Sequence, residues 1–174
     1  MGLLSWLGLK RREDQTNLDE LVAELRTAMP DDEAVVIRYI AIVAVLLSRV
    51  ARADGRFSEG EERTLRDLLA RVDRLSPSAI DAVCGTLEDG MADLTTRELD
   101  VCYRELKALC DREERLQILR LLVRLAAADG ALSASEKGEI RAIAEHIGLP
   151  AVDLEALESD AANEPNAAPI PPDA

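Results

Sequence analysis

Apolar side chains recur along most of this chain at spacings of three and four, the period of a helix that buries one face. The first such stretch covers residues 18–28, opened by Asn17 with Glu20 and ended before Pro30. From Asp31 or Asp32 to about Ala53 the pattern changes, because Val35 to Leu47 is apolar nearly all round and only Arg38 and then Arg49 interrupt it. That predicts a helix at the centre of the core, since its unbroken part is shorter than the ~18–20 residues of a membrane span. Residues 59–73 place Leu65, Leu68, Leu69 and Val72 on one face, and Ser76-Pro77 opens a helix to about Asp89. Thr95 with Glu98 starts another that ends near Cys110, and Asp111 with Glu114 opens a long one over 112–128. Residues 134–147 follow, stopped by Gly148 with Pro150 beyond, and 151–158 make a short last helix. Alternating runs of β-branched and aromatic residues are missing. The expectation is an all-α fold, a single domain of about 7–8 helices over residues 17–158, with an apolar and basic segment at 1–16 and a disordered acidic, proline-rich tail at 159–174.

The pattern also repeats. Ala53-Asp54-Gly55-Arg56-Phe57-Ser58-Glu59-Gly60-Glu61 and Ala128-Asp129-Gly130-Ala131-Leu132-Ser133-Ala134-Ser135-Glu136 both read A-D-G-x-hydrophobic-S-x-x-E, 75 positions apart. The flanks keep step, Val43 with Ile118, Leu46 with Leu121, Leu47 with Leu122, Val50 with Leu125 and Leu65 with Ile140. Two pseudo-symmetric helical-hairpin halves are predicted. Helix capping explains most of the shared loop: Gly55 and Gly130 take the left-handed position past a helix end, and Ser58 with Glu61 and Ser133 with Glu136 form capping boxes for the next helix.

The aspartates need more. Asp54 and Asp129 sit at helix C-termini, where the macrodipole is already negative, a mismatch of about 0.3–1 kcal/mol at exposed sites. An Asx turn offsets it, and a bound cation would do so more strongly. D-G-x-hydrophobic-S-x-x-E is the register of the latter half of an EF-hand loop, although Val50 and Arg52 in one copy, and Leu125 and Ala127 in the other, stand where the first ligands belong. If the two corners meet, Asp54, Glu61, Asp129 and Glu136 become an oxygen-rich site for Ca²⁺, Mg²⁺ or Mn²⁺. If they do not, only the caps remain.

Charge narrows the partners. The net charge is −13, with +3 in residues 1–12, six acids and no base in residues 151–174, and −10 between them. A nucleic-acid surface, which needs a basic stripe, is excluded, and cations or basic proteins fit better. Cys84, Cys102 and Cys110 have no C-x-x-C spacing. The last two lie about 12 Å apart on one predicted helix, so buried thiols in a reducing, cytoplasmic setting are expected. Leu3, Leu4, Trp6 and Leu7, followed by Lys10, Arg11 and Arg12, are too short a stretch for a membrane span and have the basic residues on the wrong side for a signal peptide. Contact with a partner or peripherally with the inner face of a membrane, or packing on the domain, are the alternatives.

At the two loops the chain resembles the TerB family, helical proteins associated with bacterial tellurite resistance, and their relatives that include the N-terminal domain of the DjlA co-chaperones. The resemblance rests on Ala53-Asp54-Gly55 with Ser58 and Glu61, and Ala128-Asp129-Gly130 with Ser133 and Glu136, and covers about residues 30–158. It implies an all-α fold of pseudo-symmetric halves and an acidic surface for which metal binding has been suggested. The His-Pro-Asp of a J domain is missing, so the co-chaperone role does not carry over. No catalytic motif is present: the chain holds no G-x-S-x-G, P-loop or G-x-G-x-x-G, and its single His146 is placed to interact with a helix C-terminus. A non-enzyme is expected, either a cation-binding module of a stress response or an interaction module whose loops are only caps.

Overall fold

The most apolar part of the sequence becomes the most enclosed helix. In the computed structural model, which describes residues 17–53, 59–70, 76–88, 94–128 and 132–163, the order is α1 (Asn17–Ala28), α2 (Ala34–Ala51), α3 (Glu59–Leu69), α4 (Pro77–Glu88), α5 (Thr96–Leu109), α6 (Arg112–Ala126), α7 (Ala134–His146) and α8 (Ala151–Asn163). The fold is all-α, with no strand among the described residues. By length and composition alone α2 could cross a membrane. Every residue from Ala41 to Ser48 is instead buried, because α1, α4, α5, α6 and α7 all pack on α2. A helix enclosed on all sides has no polar face to spare, which is why Arg38 and Arg49 are its only charges.

The duplication is visible in the packing. α2 lies on α6, α2 on α7 and α3 on α6, the set of contacts that a twofold relating α2–α3 to α6–α7 requires. Val43 and Ile118, Leu47 and Leu122, Val50 and Leu125, and Leu65 and Ile140 are buried as pairs. The repeat unit proves larger than the expected hairpin. α4 stacks on α2 and α3 as α8 stacks on α6 and α7, and the two end 75 residues apart at Glu88 and Asn163. Each half is therefore a three-helix unit. α1 covers α2 and α4, and α5 lies against α2.

Several boundaries differ from the sequence expectation. α2 begins at Ala34, after Glu33, with no side-chain cap. Asp31 and Asp32 fall in the preceding turn, where the Asp32 N–H donates to the Met29 carbonyl at 3.3 Å and Met29 is buried. α3 ends at Leu69. α8 continues to Asn163, five residues past the expected end at 158, so residues 159–163 belong to the helix. An apolar stripe is not needed there: Leu154 and Leu157 anchor the helix in the core, and Ala161 and Ala162 extend it with little loss of entropy.

The helix caps follow the sequence closely. Thr95 with Glu98, Asp111 with Glu114 and Ser133 with Glu136 all form reciprocal boxes. α7 ends in a Schellman turn, in which Gly148 has φ +78° and donates to the Glu145 carbonyl at 3.1 Å, while Leu149 donates to Ala144 at 2.9 Å. The ends of α2 and α6 depart from expectation. Their C-caps are Arg52 and Ala127, both right-handed, and Ala53 and Ala128 close the last turn on Val50 and Leu125 at 3.0 and 3.1 Å. The position after each cap is thus alanine, and Gly55 and Gly130 come two residues later. A tightened last turn satisfies the terminal carbonyls without a left-handed residue.

Candidate acidic corners

Of the four candidate ligands, Glu136 alone has a described side chain. It begins α7, is only 6 % exposed, and its Oε2 accepts the Ser133 backbone N–H at 2.7 Å. In return the Ser133 hydroxyl accepts the Glu136 N–H at 3.2 Å. The carboxylate that an ion would require is thus already engaged by the Ser133 N–H at the helix start. Glu61 lies within α3, whereas Asp54, Gly55, Ser58, Asp129 and Gly130 lie outside the described residues. So do Leu3, Leu4, Trp6, Leu7, Lys10, Arg11 and Arg12. Among the described residues no three His, Cys, Asp or Glu side chains are grouped to hold a metal ion.

The flanks of the two corners are tied together by a pair not anticipated from the motif. Arg49, four residues before Ala53, donates through Nε to Oε1 of Glu139 on α7, itself six residues past Ser133. The bridge places the end of α2 beside the helix that leaves the second corner. Burial is the largest single influence and opposes the Arg49 charge, but the hydrogen bond and the charge of Glu139, with a smaller contribution from Tyr103, together outweigh it, so the guanidinium is held more firmly protonated than usual. The signal was present in the sequence: an arginine inside an apolar run needs a partner.

Arg38 makes the corresponding fixture at the other end of α2. Its Nε and Nη2 donate to the Glu105 carboxylate at 2.8 and 3.1 Å, and Nη1 reaches Asp19 at 3.1 Å. One fork therefore joins α1, α2 and α5. The hydrogen bonds to Glu105 raise its pKa despite partial burial. Arg66 pairs with Glu62 inside α3 at 2.8 Å and ties α3 to α4 through Asp81 at 2.7 Å. Part of the acidity noted in the sequence thus serves to fasten helices.

The remaining candidates are structural. Cys84, Cys102 and Cys110 are buried thiols outside any disulfide, and desolvation pushes the Cys102 thiol up to about 11. His146 ends α7, with Nδ1 2.7 Å from the Ala142 carbonyl and its ring stacked on Tyr103 at 4.6 Å.

Comparison with known proteins agrees with this architecture. The family model described as "Tellurite resistance protein TerB" matches residues 39–159, which takes in most of α2, all of α3 to α7 and most of α8 and leaves α1 outside. No curated protein and no solved structure matches the chain. Two three-helix units related by a repeat of 75, and a family match over more than half of the chain, lead to one conclusion: the chain belongs to the TerB family.

Proposed function

We propose that this TerB domain is a non-enzymatic interaction module in which the D-G-x-hydrophobic-S-x-x-E corners hold the helices and the acidic surface faces a basic protein partner. The observation that supports it is the Glu136 carboxylate, buried and engaged by the Ser133 N–H. A net charge of −13 gives such a surface a long-range preference for cationic partners and repels phosphate backbones.

A second reading has one observation in its favour. The Arg49–Glu139 bridge brings the flanks of the two corners together, so Asp54, Glu61 and Asp129 are candidates to share a Ca²⁺, Mg²⁺ or Mn²⁺ ion, with Glu136 joining if its cap opens, in a stress response of the tellurite-resistance type. Calorimetric titration of the intact chain with each ion separates the two. The interaction reading expects no heat of binding from any of them and a helical fold that persists in chelator. Saturable heat that Asp54→Asn and Asp129→Asn each weaken would overturn it in favour of the ion.

A further inference from the structure

Among the described residues few large apolar side chains are exposed, and three of them lie toward one end of the α2–α5 pair. Val35 and Val36 open α2 with 46 % and 39 % exposure, and Leu109 closes α5 with 40 %. The Arg38–Glu105 fork fixes their placement: Val35 lies one turn before Arg38, and Leu109 lies one turn after Glu105. α5 runs counter to α2 here, since Tyr39 feels Cys110 and Glu114 while Arg49, further along α2, feels Tyr103. The valines and the leucine therefore share the end of the α2–α5 pair.

The rim of this patch is acidic. Asp31, Asp32 and Glu33 precede the valines, and Asp111, Glu113 and Glu114 follow the leucine. Two of the nearby cations are engaged by other groups. Arg112 pairs with Asp153 on α8 at 2.7 Å, and Arg115 donates to the carbonyls of Asp111 and Ile147. An anionic membrane would be repelled by such a rim. A matching occupant is apolar and followed by positive charge.

The chain carries one. Leu3, Leu4, Trp6, Leu7 and Leu9 are followed directly by Lys10-Arg11-Arg12. α1 enters the structure at Asn17, and Asp19 in its first turn contacts the same Arg38. The four residues from 13 to 16 reach ~13–14 Å when extended, and the Asp19–Arg38 contact sets the start of α1 beside the α2–α5 pair. Tethering gives an effective concentration of order millimolar, so a weak apolar contact suffices. We propose that the N-terminal segment, residues 3–12, docks in cis on the Val35–Val36–Leu109 patch, with its leucines and Trp6 on the apolar centre and its three cations on the acidic rim.

Trp6 is the only tryptophan, so its fluorescence in the intact protein reports this contact directly. The expected emission is blue-shifted from that of the urea-unfolded chain, independent of protein concentration, and moved toward the unfolded value by Val36→Asp and by Leu109→Asp. Both sites are exposed, and circular dichroism checks that the variants keep their helices. A charge-reversed segment, Arg11→Glu with Arg12→Glu, gives the same red shift without touching the domain. Four results would each overturn the proposal. They are emission equal to that of the unfolded chain, a blue shift retained in both patch variants, a blue shift lost on dilution, which assigns the contact to a second copy, and one that appears only with phosphatidylserine vesicles, which assigns it to a membrane.

Discussion

Glu136 can be made to report whether its carboxylate is a cap or a ligand, because three substitutions separate its roles. Ser133→Ala removes the hydroxyl that accepts the Glu136 N–H at 3.2 Å and should cost about 1 kcal/mol. Glu136→Ala strips the acceptor from the part-buried Ser133 N–H and should cost about 1–3 kcal/mol. Glu136→Gln keeps an oxygen in place while losing the charge, so the box survives in its glutamine form and the loss should stay under about 1 kcal/mol. The two halves of one box are not independent. The double variant Ser133→Ala/Glu136→Ala should therefore fall short of the sum of the single losses by at least ~0.5 kcal/mol. Urea unfolding of the intact chain in chelator, followed by circular dichroism, measures all four. Equal losses for Gln and Ala would mean that the charge matters and the hydrogen bond does not, and near-zero losses for all would refute the capping account. Repeating the series with calcium, magnesium and manganese adds the other half of the test, since a ligand role predicts a stabilisation that Gln abolishes.

Three other expectations follow from the packing. Leu47→Ala and Leu122→Ala, at fully buried equivalent positions, should each cost about 2–5 kcal/mol in the same denaturation assay, whereas Val152→Ala, on the exposed side of α8, should change little. Gly148→Ala forces φ +78° on a residue with a side chain and sets its Cβ 3.3 Å from Nη1 of Arg115, so a loss of about 1–2 kcal/mol is expected, read as a lower melting temperature. Desolvation, with smaller contributions from Cys110 and Glu114, raises the Tyr39 phenol to about 12, and burial raises Cys102 to about 11. A raised folded pKa stabilises the protein fully below the unfolded value and loses that contribution as pH climbs through the folded one. Stability should accordingly decline between about pH 9 and 12, with phenolate absorbance showing both tyrosines titrating late, since burial also raises Tyr103; a normal midpoint for either would contradict its desolvation.

The sequence carried the fold in its local signals and lost it where signals were weak. Capping boxes at Thr95, Asp111 and Ser133 are written in three or four adjacent residues and came out as read. The all-round apolar run of α2 likewise announced a central helix. Both α4 and α8 are legible as helices, but their equivalence in the repeat is not, because they share only a burial pattern, Ile80 and Val83 against Leu154 and Leu157, at a spacing of 74 and with almost no identity. The extension of α8 was missed because alanines propagate a helix without leaving a stripe. At the corners, glycine was expected directly after the helix cap, but the short Ala-Ala steps at 127–128 and the Arg-Ala step at 52–53 end their helices first. Asp54, Gly55, Ser58, Asp129 and Gly130 lie outside the described residues, so the candidate site was legible only through Ser133 and Glu136. Arg49 and Glu139 show what motif reading overlooks, since their pairing joins residues 90 apart that neither local spacing nor the repeat connects.

α2 lends its flanks to five other helices: α4 of its own unit, α6 and α7 of the other, and α1 and α5 outside both. Neither copy consequently owns a complete interior, although the chain looks doubled. Such a molecule should melt as one body: a single calorimetric peak whose van't Hoff and calorimetric enthalpies coincide. Severed in the connection between residues 88 and 94, it should yield two pieces that are each insoluble alone and regain helicity only when mixed.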